Sequence, residues 1–92
     1  MAEYLLELYV ARSDEAGAEQ RGEQARLAAE QLAGEGTPVR YLRSIFVPED
    51  ETCFYLYEAA SVDAVREAAR RAQLPCHRVI KAISQPKGEP PC

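Results

Sequence analysis

No stretch of this sequence stays apolar for the roughly 20 consecutive residues that a membrane-spanning helix needs. Its opening, Met1-Ala2-Glu3, carries an acid where a secretory leader carries bases, so the chain is expected in the cytoplasm, with no membrane partner. Positive charge is in deficit. With 11 Lys and Arg against 15 Asp and Glu, the net charge of −4 offers no general attraction for a phosphate backbone, and no nucleic-acid partner is expected. The basic residues that do cluster, Arg66, Arg70 and Arg71, fall at helical spacing beside Glu67 and read as a solvated helix face. Cysteine is sparse and odd in number: Cys53, Cys76 and Cys92 at irregular spacing make no secreted disulfide framework, so reduced thiols are expected. G-x-G-x-x-G, P-loop, G-x-S-x-G and H-E-x-x-H motifs are all missing, which removes the usual nucleotide, hydrolase and metalloprotease routes.

What is present fits one small globular domain. At 92 residues there is room for a single core, and 47% hydrophobic against 28% charged residues is the balance of a folded protein rather than a disordered one. Tyr4 to Val10 is short, apolar and aromatic, and closes at Arg12-Ser13-Asp14, which predicts a strand. Asp14 to Ala33 is rich in Ala, Glu, Gln and Arg, with Ser13 or Asp14 placed to cap a helix that Gly17 and Gly22 weaken locally. Ala18, Gly22, Ala25, Ala29 and Leu32 recur at steps of four and three, a narrow stripe of mostly small side chains that can lie close to a sheet of large ones. Gly34 to Pro38 ends it.

Val39 to Val47 and Thr52 to Glu58 are β-rich and joined by Pro48-Glu49-Asp50-Glu51, the signature of a hairpin. Ser61 caps a second helix, Val62 to Ala72, whose inward stripe is Val62, Val65, Ala69 and Ala72. Pro75 closes it, and His77 to Ile83 forms the last strand. The order βαββαβ is the split βαβ of ferredoxin-like folds: an α+β, four-stranded antiparallel sheet with two helices on one face, over residues 1–84. Residues 85–92 are polar and proline-rich and are expected to be a flexible C-terminal tail.

Sorting alternate strand residues predicts the two faces of that sheet. The even set, Leu6, Leu8, Leu42, Phe46, Phe54, Leu56, Ile80 and Ala82, is expected beneath the helices. The odd set, Leu5, Glu7, Tyr9, Tyr41, Arg43, Ile45, Cys53, Tyr55, Tyr57, His77, Val79 and Lys81, is expected on the open face. So many rings and aliphatics are too apolar for full exposure, so a homodimer of the dimeric α/β-barrel type is predicted, with each polar residue presented twice around a cavity.

Chemistry is then read from that open face. Glu7 and His77 are the acid/base candidates, because an imidazole titrates near neutrality and a carboxylate beside it can accept its proton. Tyr9, Tyr41, Tyr55 and Tyr57 could stack on a flat ligand while Arg43 holds a carboxylate, although dimer packing explains the same rings. His77, Glu7 and Cys53 are the candidate metal donors. Their N, O and S set suits nickel, zinc or copper, but neither C-x-x-C nor H-x-x-x-H spacing supports them, and Cys76 next to His77 points to the opposite face.

The stretch Thr37-Pro38-Val39-Arg40-Tyr41-Leu42-Arg43-Ser44-Ile45-Phe46-Val47-Pro48-Glu49-Asp50-Glu51-Thr52-Cys53-Phe54, with Glu58-Ala59 and Val65-Arg66-Glu67-Ala68-Ala69, resembles a family of short bacterial proteins of unknown function that includes a nickel-binding member. With Tyr4-Leu5 and Arg78-Val79-Ile80 the likeness spans nearly the whole chain except the tail. The resemblance implies a ferredoxin-like homodimer and nickel as a candidate ligand, and it centres on a hairpin rather than on a catalytic motif. Two functions stay open: a non-catalytic dimer that binds a small organic molecule or a transition metal, and a cofactor-free isomerase, cyclase or monooxygenase. In the second, Glu7 or His77 removes a proton and Arg43 or a tyrosine steadies the anion. A purely structural or regulatory subunit is a third.

Overall fold

The computed structural model describes residues 1–75 and 78–83. In order they form β1 (Ala2–Tyr9), α1 (Glu15–Gly34), β2 (Val39–Val47), a 3-10 turn (Pro48–Asp50), β3 (Thr52–Ala59), α2 (Val62–Arg71) and β4 (Arg78–Ala82). The expected tail, 85–92, and His77 lie outside the described residues.

Local chemistry sets the helix ends. The Asp14 carboxylate accepts a hydrogen bond from the Gly17 amide at 3.1 Å and so satisfies one of the free donors that open α1. At the other end Gly36 takes φ +103, a backbone conformation open to glycine and costly to a residue with a Cβ. The Ser61 hydroxyl caps α2 through the Ala64 amide at 3.2 Å. Arg71, in the last turn of α2, grips both carboxylate oxygens of Glu35 just past α1, at 2.6 and 2.7 Å, and ties the two helix ends together.

The four strands form one antiparallel sheet in the order β2-β3-β1-β4. One cluster of buried residues joins both helices to one side of it, giving the ferredoxin-like α+β arrangement that the element order predicts. The stripe Ala18, Gly22, Ala25, Ala29 and Leu32 is buried as expected, joined by Ala28. Its small residues meet large ones: a Cβ built on Gly22 would stand 3.1 Å from the Tyr41 hydroxyl and 3.7 Å from the Tyr55 ring. In α2 the buried face is Ala64, Val65, Ala68 and Ala69, with Ala72 just beyond, whereas Val62 stays half-buried.

The expected division of the sheet holds for β1 and fails for β3, β4 and the first half of β2. Leu6 and Leu8 sit under the helices, with Glu7 and Tyr9 on the other side. The strands pair, however, so that even-numbered residues of β1 stand beside odd-numbered residues of β3 and β4. Leu6 faces Tyr55 and Val79 across the ladders, and Leu8 faces Cys53. Paired residues project to the same face, so Cys53, Tyr55 and Tyr57 are fully buried beneath the helices and Val79 packs against the same core. Phe54, Leu56 and Ile80 take the open face with Leu5 and Glu7.

β2 changes sides part-way. Its pairing with β3 slips between Tyr41 and Arg43, a bulge that places Val39 and Tyr41 against the core at one end and Phe46 at the other. Tyr41 therefore leaves the open face, where it was expected, while Arg43 and Ile45 remain on it. Leu42, expected in the core, is half-buried at the bulge and outside the core cluster.

Candidate functional site

Chemistry concentrates where β1, β4 and the start of β3 meet at one end of the open face. A cleft of about 290 Å³ is lined there by Glu7 and Tyr9 of β1, Asp50, Glu51 and Thr52 of the hairpin, and Arg78 of β4. Strand pairing sets Glu7 directly opposite Arg78, and their charges stand 3.6 Å apart (Oε1 to Nη1), close enough to attract and too far for a hydrogen bond.

Glu51 builds the wall of this cleft. It adopts the left-handed conformation, φ 47, at the end of the 3-10 turn, and its backbone carbonyl accepts from the Val10 amide at 3.0 Å. Its carboxylate accepts from the Arg12 amide at 3.0 Å and from the Tyr9 hydroxyl at 3.4 Å. The Thr52 hydroxyl closes the turn on the Asp50 carbonyl at 2.9 Å. Tyr9 is thereby held at the rim with 64% of its surface exposed, a ring available to a ligand or a second protein. Sequence reasoning missed Arg78, Glu51 and Thr52. Arg78 carries no motif, and its link to Glu7 emerges from strand register alone.

The remaining candidates are scattered. Tyr41, Tyr55 and Tyr57 belong to the core: the Tyr41 and Tyr57 rings meet edge-to-face at 5.6 Å and 76°, and the Tyr55 hydroxyl donates to the Ala18 carbonyl of α1 at 3.3 Å. Burial pushes the Tyr55 phenol well above its ordinary pKa, and pushes Tyr41 up more mildly against an opposing hydrogen bond with Ser44. Arg43 is exposed on the open face, on β2, with β3 between it and the β1 strand that carries Glu7.

A shared metal site fails on geometry within one chain. Glu7 pairs with Phe54 on the open face, while Cys53 pairs with Leu8 on the helix face, so one ion cannot reach both. Cys53 is also fully buried, and burial raises its thiol pKa, which disfavours the thiolate that binds metal. Among the described residues no group of three or more His, Cys, Asp and Glu side chains could hold a metal, so they do not fit a nickel centre in a single chain. His77, the third expected donor, lies outside the described residues.

A wider groove of about 440 Å³ runs between α1 and α2, lined in part by Gln24, Leu27, Gln31 and Gln73, with Arg71 already committed to Glu35. It holds none of the expected site residues. No helix among the described residues is long and apolar enough to cross a membrane.

Residues 9–81 match the family described as nickel responsive protein SCO4226-like. The chain belongs to the SCO4226-like family. The crystal structure of SCO4226 from Streptomyces coelicolor A3(2) superposes on it with a TM-score of 0.70, covering 92% of this chain and 100% of that one at 19% identity. At that identity the likeness establishes the shared fold. No curated protein matches the chain. The family match takes in both the bulged hairpin and the Glu51 wall of the cleft, and begins at Tyr9.

Proposed function

We propose that this member of the SCO4226-like family is a non-catalytic homodimeric binding protein, with a second copy covering the open sheet face and turning the Glu7 cleft into an enclosed chamber. The observation that carries the reading is the composition of that face. Leu5, Phe54, Leu56, Ile45 and Ile80 lie on it with Glu7, Arg43 and Arg78. Leu5, Phe54 and Ile80 are half-buried there, Leu56 is 5% exposed although it stands outside the core cluster, and Ile45 is 43% exposed. A contiguous apolar surface rimmed by charge is characteristic of an interface.

Nickel, named in the family description, is the ion to test first. Since the described residues of one chain do not fit it, the reading gives nickel donors from two chains, the Glu7 carboxylates together with the His77 imidazoles, each present twice in a symmetric pair. A small organic anion that rests on Tyr9 and pairs with Arg78 is the alternative occupant of the same cleft.

Native mass spectrometry of the untagged protein, with and without Ni²⁺ and with Zn²⁺ and Ca²⁺ as comparators, tests both parts. The expected result is a dimer that retains nickel in preference to calcium, and loses it in Glu7→Ala or His77→Ala. A monomer at about 10 μM, with no adduct from any of the three ions, overturns the reading; that concentration marks an affinity of roughly −7 kcal/mol.

A further inference from the structure

The open face has an internal pattern that strand register makes explicit. One row across the sheet reads Arg43, Leu56, Leu5, Ile80 from β2 to β4, and the next reads Ile45, Phe54, Glu7, Arg78. Each row is apolar over part of its length and charged at one end, and the charged ends are opposite: β2 in the first row, β1 and β4 in the second. A surface that carries charge at two diagonal corners and apolar residues between them can complement itself through a two-fold rotation.

The charges at the corners differ in how they are engaged. Arg40, also on β2, has Glu58 at 3.4 Å. Arg43 takes part in no ion pair among the described residues. At the opposite corner the Glu7 carboxylate has, among the described residues, only the loose 3.6 Å approach of Arg78 and retains capacity for a second cation.

Building on the homodimer reading above, we propose that Arg43 of each chain pairs with Glu7 of the partner subunit across a two-fold axis that passes between Leu56 and Phe54. One rotation then makes two identical ion pairs flanking an apolar centre. It also places a second arginine beside Arg78 at the mouth of each Glu7 cleft and holds the two Glu7 carboxylates apart, which suits the organic anion of the alternative reading and not a nickel ion shared by both. The apolar rows supply the driving force, and the two charge pairs favour this register over one that sets the arginines of the two copies against each other.

The test uses full-length, untagged chains carrying Arg43→Glu or Glu7→Lys, with circular dichroism to verify that each exposed-face variant keeps the wild-type fold. Alone, each variant sets two like-charge pairs into its own dimer, and its dissociation constant by sedimentation should rise at least about tenfold. Mixed together, the two variants restore both pairs in a heterodimer, which should dominate the native mass spectrum and dissociate within a few-fold of the wild type. Arg43→Gln, a milder loss, should weaken the dimer less than Arg43→Glu. A wild-type dimer whose single variants associate as tightly as before, or whose mixture shows statistical amounts of heterodimer, overturns the pairing while leaving the homodimer intact. A monomeric wild type removes both.

Discussion

The phenolic hydroxyl of Tyr55, in the middle of β3, donates to the carbonyl oxygen of Ala18 in α1 across 3.3 Å, in a place where both residues are buried. This contact anchors the longer helix to the sheet, and it turns a residue expected on the ligand-binding face into a pillar of the core. Removing the hydroxyl alone, Tyr55→Phe, should lower unfolding free energy by about 1 kcal/mol in urea titration, since the Ala18 carbonyl keeps its intrahelical partner. Tyr55→Ala should cost about 3–5 kcal/mol through the cavity it leaves. A Tyr55→Ala chain as stable as the wild type would mean that the ring lies in solvent.

Gly22 and Gly34 sit in the same helix and should respond oppositely. A side chain at Gly22 meets the Tyr41 hydroxyl, the Ser44 hydroxyl and the Tyr55 ring within 4 Å, whereas a Cβ at Gly34 meets nothing. Gly34→Ala should raise stability by about 0.5–1 kcal/mol through helix propensity. Gly22→Leu should lower it by about 1–3 kcal/mol, because α1 must lift off the sheet. Thermal unfolding of the two variants side by side checks the contrast.

Acid should loosen the junction of the two helices. Hydrogen bonds from Arg70 and then Arg71 hold the Glu67 carboxyl at about 2, and the Arg71 fork draws Glu35 below its ordinary 4.5. Both groups bind protons less readily when folded than when unfolded. Their contribution is therefore complete above the ordinary carboxylate value and is lost as pH falls towards the folded ones. Melting temperature should stay level down to about pH 5 and decline below it, with a shallower decline in Arg71→Met. Identical acid limbs in the two proteins would show that Arg71 does not engage these carboxylates in solution.

Cys53 should behave as an inert hydrophobe. It is fully buried and its thiol pKa is raised by that burial. In a chain carrying Cys76→Ser and Cys92→Ser, a thiol reagent should label Cys53 at least about a hundredfold more slowly than it labels the same chain in denaturant. Fast labelling of the native chain would return Cys53 to the list of accessible donors.

The order of elements, both helix caps and the small-residue stripe of α1 were legible because each rests on local chemistry: Asp14 and Ser61 at helix starts, Gly36 past a helix end, alanines at helical spacing. The facing of β3 was not. Cys53, Tyr55 and Tyr57 alternate with Phe54 and Leu56, so both sides of this strand are apolar and alternation alone cannot choose between them. Pairing with β1 makes the choice, since Leu6 and Leu8 are unambiguous core residues and bring Tyr55 and Cys53 with them. The bulge at Tyr41 to Arg43 left no mark on composition, so a single parity could not describe β2. At the site, Glu7 and Tyr9 were found through the clear alternation of β1, while Arg78 required knowledge of which strands lie side by side.

The slipped pairing in β2 also sets how the strand tolerates a change in length. Since Val39 and Tyr41 reach the helices on one count and Phe46 on the other, Leu42 is the extra residue that the bulge absorbs, and deleting it would leave a regular ladder in which Val39, Tyr41 and Phe46 all keep the helix side. A ladder that kept Leu42 but lost the bulge would instead roll either the Tyr41 ring or Phe46 out into water. The bulge thus keeps the hydrophobic interior and the outward-facing arginine in step along a strand that is one residue longer than its partner.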